Sequence, residues 1–228
     1  MKNDFSYKQA LFNYLSKYLT SNKLQKFREI IRHRTKHVTI ALENIYQSHN
    51  ASAVLRTCDC FGILDVHIIE NDYSFQVSKD IALGSNKWLN LYHYRNYKNN
   101  TLTCIEKLKK DGYRIIATTP HTNDCLIHEL PIENKMAFFF GTELEGLSEE
   151  VMANSDEYVR IPMYGFTESY NISVSAAILL YDVITRLHAS ETNWQISHEE
   201  ETDTLLSWAK NVIKKPELLE QKFRDNWK

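Results

Sequence analysis

The chain has 228 residues, of which 43% are hydrophobic, and its formal net charge is −2 at pH 7. This length and apolar content suffice to bury a core, and they favour one α/β domain with extra helices over two full domains. The charge excludes a protein that is basic overall. No apolar run reaches membrane-spanning length and the first residues are polar, so we expect a soluble, cytoplasmic protein without a signal peptide.

Residues 1–37 predict a basic helical extension. Leu11, Leu15 and Leu19 recur at helical spacing in a first amphipathic helix, and Ser21 is the predicted cap of a second. We expect the pair to pack on the main domain or on a partner subunit. The local excess of positive charge predicts a phosphate-binding face, with a solvated helix surface as the alternative. The candidate RNA-binding residues are Lys23, Lys26, Arg28, Arg32 and Arg34.

Short apolar segments alternate with helical segments over residues 38–189. The predicted strands are 38–42, 66–69, 89–92, 113–118 and 136–140, and a further strand ends before Pro162. The predicted helices are 48–61, 101–110, 148–154 and 173–187. This alternation indicates an α/β fold with a mostly parallel sheet covered by helices.

Residues 190–228 are more polar and predict a C-terminal helical extension. A helix is expected over 202–214, and Pro216 separates it from a last helix over 217–223. An acidic cluster, Glu199 to Glu201 with Asp203, lies within this region.

The four cysteines predict neither a metal site nor a structural disulfide. Cys58 and Cys60 are separated by one residue, and Cys104 and Cys125 form no second pair with metal-ligand spacing. We expect reduced thiols that mostly fill the core, and no bound metal.

Two loops have the composition of ligand sites. No G-x-G-x-x-G or Walker loop follows a strand, but Gly141 and Gly146 follow the strand 136–140, and glycine lets the backbone approach a ligand closely. Further on, Ser169 and Asn171 stand just before the helix 173–187, whose positive end suits a polar or anionic group. A turn capped by Ser148 and a capped loop are the alternatives.

Three stretches in one order carry a family resemblance. They are NASAVLRT (50–57), FFGTELEGLS (139–148) and IPM…SYN-x-SVSAA (161–177). Together they resemble the signatures of the SpoU (TrmH) branch of the SPOUT methyltransferases, which methylate RNA ribose 2′-hydroxyls with S-adenosylmethionine. The resemblance covers roughly residues 38–187. It implies the SPOUT fold, with a deep C-terminal trefoil knot that holds the cofactor, and a homodimer with the site near the interface.

The resemblance also implies the catalytic residues. It makes Arg56 catalytic, and because a guanidinium stays protonated, we expect it to donate to the 2′-oxygen or an adjacent phosphate rather than act as a base. Asn50 would fix Arg56 or the ribose, or only cap the helix. The structural alternative for Arg56 is an ion pair with Asp59. The residues that would orient Arg56 or the cofactor, or hold the target nucleotide, are Glu143, Ser169 and Asn171.

The implied adenine pocket is mostly apolar, with a few backbone hydrogen bonds. Family members commonly carry Leu where Tyr170 stands, which leaves backbone contacts intact and changes the pocket shape. The predicted cofactor-binding residues are Thr118, Gly141, Ile161, Met163 and Tyr170.

The long tract from His37 to Asp59, with basic helices before the domain and helices after it, is most similar to the branch that methylates guanosine 18 in the tRNA D-loop. Methylation of the tRNA wobble nucleotide or of ribosomal RNA stays open. A SPOUT protein that binds RNA without activity is a further alternative, although Arg56, Asn171 and the glycine loop are intact.

Overall fold

The computed structural model describes residues 5–119, 125–142 and 145–227, apart from the side chain of Lys79. The backbone divides into two compact units. One is Thr35–Trp194, and the other combines the described parts of Met1–Arg34 and Gln195–Lys228.

Within the described residues, Thr35–Trp194 contains one seven-stranded sheet in the order β3-β2-β1-β6-β4-β7-β5. All of its recorded strand pairings are parallel, which confirms the predicted sheet. The strands are β1 (Val38–Glu43), β2 (Asp65–Ile69), β3 (Asn90–Tyr94), β4 (Arg114–Thr118), β5 (Cys125–Leu126), β6 (Met136–Phe140) and β7 (Glu157–Arg160).

Nine helices are recorded over the ranges that the structure describes. They are α1 (Phe5–Ser16), α2 (Ser21–Ile30), α3 (Ser48–Cys60), α4 (Lys79–Ala82), α5 (Asn100–Lys110), α6 (Glu149–Asn154), α7 (Ile172–His188), α8 (His198–Val212) and α9 (Pro216–Asn226). None of these described helices is long and apolar enough to cross a bilayer.

The core lies on both faces of the sheet. The strand β6 is central, and all five of its residues are buried, which explains its unbroken apolar sequence. Apolar residues of α3 and α7, such as Val54 and Leu180, cover the face that carries Phe138. Residues of α5 and α6 cover the face that carries Phe139. Helices therefore cover the sheet on both sides, as predicted.

The helix starts follow capping chemistry, with two differences from prediction. Thr20, rather than Ser21, caps α2 by accepting from the backbone N–H of Lys23. The helix α8 begins four residues earlier than expected, because Ser197 and Glu200 form a capping box. The acidic cluster thus lies in the first turn of α8, where negative charge favours the helix dipole.

The two chain ends pack on each other, and α8 and α9 are the surface that covers α1. Leu11 and Leu15 are buried, and Lys8 forms an ion pair with Asp203 at 2.8 Å. The prediction named the main domain or a partner subunit as the surface that these helices pack on, and it did not include α8 and α9. Helical spacing shows which face of a helix is apolar but not what covers that face.

Candidate functional site

A cavity of about 670 Å³ lies beyond the carboxyl ends of β4, β6 and β7. In parallel α/β sheets this is the edge where ligands bind. Thr118 ends β4, Gly141 follows β6, and the first turn of α7 closes the cavity. The structure brings together seven of the predicted site residues in the cavity wall, namely Thr118, Gly141, Ile161, Met163, Ser169, Tyr170 and Asn171.

The loop that follows β6 and carries Gly141 and Gly146, the glycine loop, contains glycine at these two positions for a structural reason. Thr142 and Gly146 exchange backbone hydrogen bonds of 2.9 and 3.0 Å, and Gly146 has φ +72°. A Cβ at Gly141 would lie 1.9 Å from the carbonyl oxygen of Gly146, so no side chain fits there. Gly141 therefore packs directly against the backbone of Gly146, in a loop that borders the cavity. Glu143 lies outside the described residues.

Asn171 joins the third motif to the first. Its Oδ1 caps α7 by accepting from the backbone N–H of Ser173 at 2.9 Å. Its Nδ2 donates to Oδ1 of Asn50 at 3.0 Å. Asn50 in turn donates to Oε1 of Gln47, also at 3.0 Å. One amide thus fixes the start of α7 against the start of α3.

Arg56 is exposed on α3, six residues after Asn50, or about 9 Å along the helix axis. It does not line the cavity of its own chain. The described residues record no hydrogen bond or ion pair for its guanidinium, so the alternative pairing with Asp59 is not observed. The side chain of Asn50 bonds to Asn171 and Gln47, and its predicted role in fixing Arg56 or the ribose stays a prediction. Arg56 belongs to the first motif, and its side chain lies on an exposed position of α3.

Glu43 is a site-building residue that the sequence analysis missed. Its carboxylate, at the end of β1, is only 3% exposed. Oε1 accepts from the hydroxyls of Thr101 and Ser148, both at 2.7 Å, and Oε2 accepts from the backbone N–H of Ser148 at 2.9 Å. Because Ser148 caps α6, Glu43 anchors the end of the glycine loop. The available signal was a carboxylate directly after a buried apolar strand.

The predicted RNA-binding residues do not share one environment. Lys26, Arg28 and Arg32 are exposed, and Lys23 is partly exposed. Arg34 differs, because it is 3% exposed and its guanidinium lies 5.2 Å from the ring centroid of Trp208. An arginine in this position braces its own unit and offers no surface to a phosphate, so the prediction for Arg34 is corrected.

The described part of the chain contains no group of three or more His, Cys, Asp or Glu side chains placed to hold a metal ion. Burial raises the pKa of the Cys104 thiol, which keeps this cysteine protonated within the core.

Three comparisons agree with this geometry. Residues 37–181 match the model of the SpoU rRNA Methylase family. A relative from Borreliella burgdorferi, named tRNA (guanosine(18)-2′-O)-methyltransferase, is 43% identical over 206 residues, which is 90% of this chain and 93% of that protein. A protein of the same name from Thermus thermophilus is 32% identical over 72% of this chain and 82% of its own length.

A solved structure, the TrmH/SpoU tRNA modifying enzyme of A. aeolicus, superposes with a TM-score of 0.74 at 29% identity. The match covers 85% of this chain and 98% of that one. The family model covers more than half of the sequence and spans the strands and helices that build the cavity. The chain therefore belongs to the SpoU methylase family.

Proposed function

We propose that this protein transfers the methyl group of S-adenosylmethionine to a ribose 2′-oxygen of tRNA, at guanosine 18 of the D-loop. The observation that carries the proposal is the hydrogen bond between Asn50 and Asn171, which joins the first and third motifs beside a cavity bordered by the second. The relatives named for this reaction support the choice of nucleotide.

The cavity fits the cofactor in size and chemistry. Its volume of about 670 Å³ is in the range of small-molecule sites, and Ile161, Met163 and Leu179 give it an apolar wall. Gly141 offers backbone without a side chain, while the hydroxyl of Thr118 is already used, donating to the carbonyl of Phe139 at 2.7 Å. Thr118 would therefore contact the adenosine through its backbone. S-adenosylmethionine supplies an electrophilic methyl group, and the loops would form the trefoil knot of the SPOUT fold.

The RNA side of the reaction falls to α3 and the start of α7. Asn50, Ser169 and Asn171 would orient the ribose, and the positioning of the 2′-oxygen supplies much of the acceleration. Arg56 would donate to the 2′-oxygen or to the adjacent phosphate, stabilising negative charge as it develops. The proton would leave through that phosphate or through water. Glu143 would orient Arg56 or the cofactor.

We also propose that the protein acts as a cytoplasmic homodimer. The helix α7 exposes Val174 and Tyr181, which are 44% and 66% exposed and would be covered by a second copy. A partner near α7 would help to enclose the ribose between Arg56 and a cavity that Arg56 does not itself line. The exposed cations of the N-terminal extension, Lys23, Lys26, Arg28 and Arg32, would hold tRNA phosphates in a salt-sensitive manner.

Transfer of labelled methyl from S-adenosylmethionine to an unmodified tRNA transcript tests the proposal, with the product mapped by nuclease digestion. We expect 2′-O-methylguanosine at position 18. A methylated wobble ribose would retain the reaction and correct the nucleotide. Transfer to ribosomal RNA alone would replace the substrate, and no transfer to either RNA would favour an RNA-binding protein without activity.

A further inference from the structure

A second cleft lies outside the cofactor cavity, where β1 and β2 end. Its volume is about 640 Å³, and its walls are the loop after β1, the loop after β2 and the first residues of α3. Two tyrosine side chains dominate it. Tyr46 is 70% exposed and Tyr73 is 45% exposed, with their ring centroids 4.9 Å apart.

The two rings stand on a rigid base. Asn44 has φ +58° and is buried, and its side-chain Oδ1 accepts from the backbone N–H groups of Asp72 and Tyr73 at 2.9 and 3.1 Å. Its Nδ2 donates to the Asp72 carboxylate at 2.7 Å. Asparagine tolerates the left-handed conformation, and here that conformation ties both loops together two residues before Tyr46. The backbone that carries the two exposed rings is thus fixed by hydrogen bonds, and the rings contact each other.

The chemistry of the cleft suits a nucleobase. Exposed aromatic faces stack on any base, and the remaining described lining is neutral hydrogen-bonding groups and an imidazole, from Gln47, Ser48, His49, Ser74 and Gln76. No carboxylate belongs to this described lining, and the neighbouring carboxylate of Asp72 accepts a hydrogen bond from Asn44.

Two hydrogen bonds connect the wall of the cleft to the wall of the cofactor cavity. Gln47, in its wall, accepts a hydrogen bond from Asn50, and Asn50 accepts one from Asn171 in the wall of the cofactor cavity. An RNA strand whose ribose lay at Asn50 would therefore have a neighbouring nucleotide near Gln47 and Tyr46.

We propose that this cleft, formed around Tyr46 and Tyr73, binds an unpaired nucleobase of the RNA substrate that flanks the methylated ribose. The inference rests on the proposed function, and it assigns to Tyr46 a positioning role in substrate binding. The rings hold the strand by stacking, and they take no part in methyl transfer.

The test compares Tyr46→Ala with Tyr46→Phe and with Tyr97→Ala in methyl transfer to an unmodified tRNA transcript. Tyr97 is a matched control because it is 55% exposed in the loop after β3, outside the cleft. Loss of one stacked base should raise the KM for tRNA of Tyr46→Ala roughly tenfold, with kcat at saturating tRNA nearly unchanged. Tyr46→Phe, which keeps the ring, and Tyr97→Ala should resemble the wild type.

Calorimetry with S-adenosylhomocysteine and sedimentation velocity accompany the kinetics. Unchanged cofactor affinity and oligomeric state, with a raised KM, support the inference. An unchanged KM for Tyr46→Ala overturns it while leaving the proposed function intact, and so does a change in oligomeric state, which would make the rings a contact between copies. A wild-type protein without activity on tRNA overturns both.

Discussion

The carboxyl ends of β4, β6 and β7 carry a different kind of surface from those of β1 and β2. At the first set, the cavity wall includes apolar side chains, polar side chains and the glycine loop, whose end Glu43 anchors through Ser148. At the second set, the surface is made of exposed side chains, above all Tyr46 and Tyr73, and the exposed Arg56 lies further along α3.

The difference follows from the ligand proposed for each surface. The cofactor side is the edge at β4, β6 and β7, and the RNA side is the edge at β1 and β2. A small cofactor needs a closed shape, which backbone and buried groups provide with little freedom. A large RNA must dock and leave, and exposed aromatic and cationic groups bind it without burying a core. Substitutions on the first side should therefore change cofactor affinity and stability. Substitutions on the second side should change turnover or the KM for RNA and leave the fold intact.

The largest expected effect is that of Arg56→Ala on turnover. Removal of one donor to a developing oxyanion lowers kcat by about 100- to 1,000-fold in other enzymes. Because Arg56 is exposed and outside the cofactor cavity, calorimetry with S-adenosylhomocysteine should show wild-type affinity. Full activity of the variant would remove Arg56 from the catalytic assignment, and lost cofactor binding would contradict the division between the two sides.

On the cofactor side, Gly141→Ala should weaken S-adenosylhomocysteine binding by about 100-fold, because the new Cβ forces the loop apart at Gly146. Gly165→Ala is the matched control. Its Cβ would meet nothing within 4 Å, and its affinity should stay at the wild-type value. Equal affinities for the two variants would show that the glycine loop does not border the cofactor.

Glu43→Gln should have a smaller effect on the same loop. The amide places a donor among three groups that now donate to the carboxylate, so the anchor of Ser148 weakens. We expect the KM for S-adenosylmethionine to rise up to about tenfold and the free energy of unfolding to fall by about 2 kcal/mol. The control is Glu149→Gln, on the exposed first turn of α6, which should leave both the KM for S-adenosylmethionine and the free energy of unfolding nearly unchanged. A Glu43→Gln variant with unchanged KM would restrict Glu43 to a role in stability.

The sequence predicts the parts of this architecture that have local signals. Long apolar segments, such as 136–140 and 173–187, reveal strands and helices through their composition and spacing, and the three motifs place the cavity residues. The two-residue strand β5 has no such pattern. The start of α8 has a local signal, the capping box of Ser197 and Glu200, which the prediction of 202–214 overlooked.

The missed features depend on partners far away in the chain. Asn50 and Asn171 are 121 residues apart, and Glu43 and Ser148 are 105 residues apart, so neither bond leaves a local pattern. Arg34 belongs to a basic run in sequence, yet its burial depends on Trp208. A local charge pattern identifies a candidate phosphate contact, but the tertiary packing determines whether its side chain reaches solvent.

The smallest effect at neutral pH concerns His67 in β2, one of the two strands whose carboxyl ends border the cleft of Tyr46 and Tyr73. Burial, and then the charge of Lys107, lower the pKa of His67 from 6.5 to about 4. Between these values the unfolded chain binds a proton that the folded protein does not, so the free energy of unfolding falls as pH decreases. The loss between pH 7 and pH 5 should be about 2 kcal/mol, and none of it should appear above pH 7. Urea unfolding of His67→Gln at both pH values should show a loss smaller by this amount than the wild type. His128→Gln, on an exposed position, should keep the wild-type loss, and an equal loss for His67→Gln would contradict the assignment of acid sensitivity to β2.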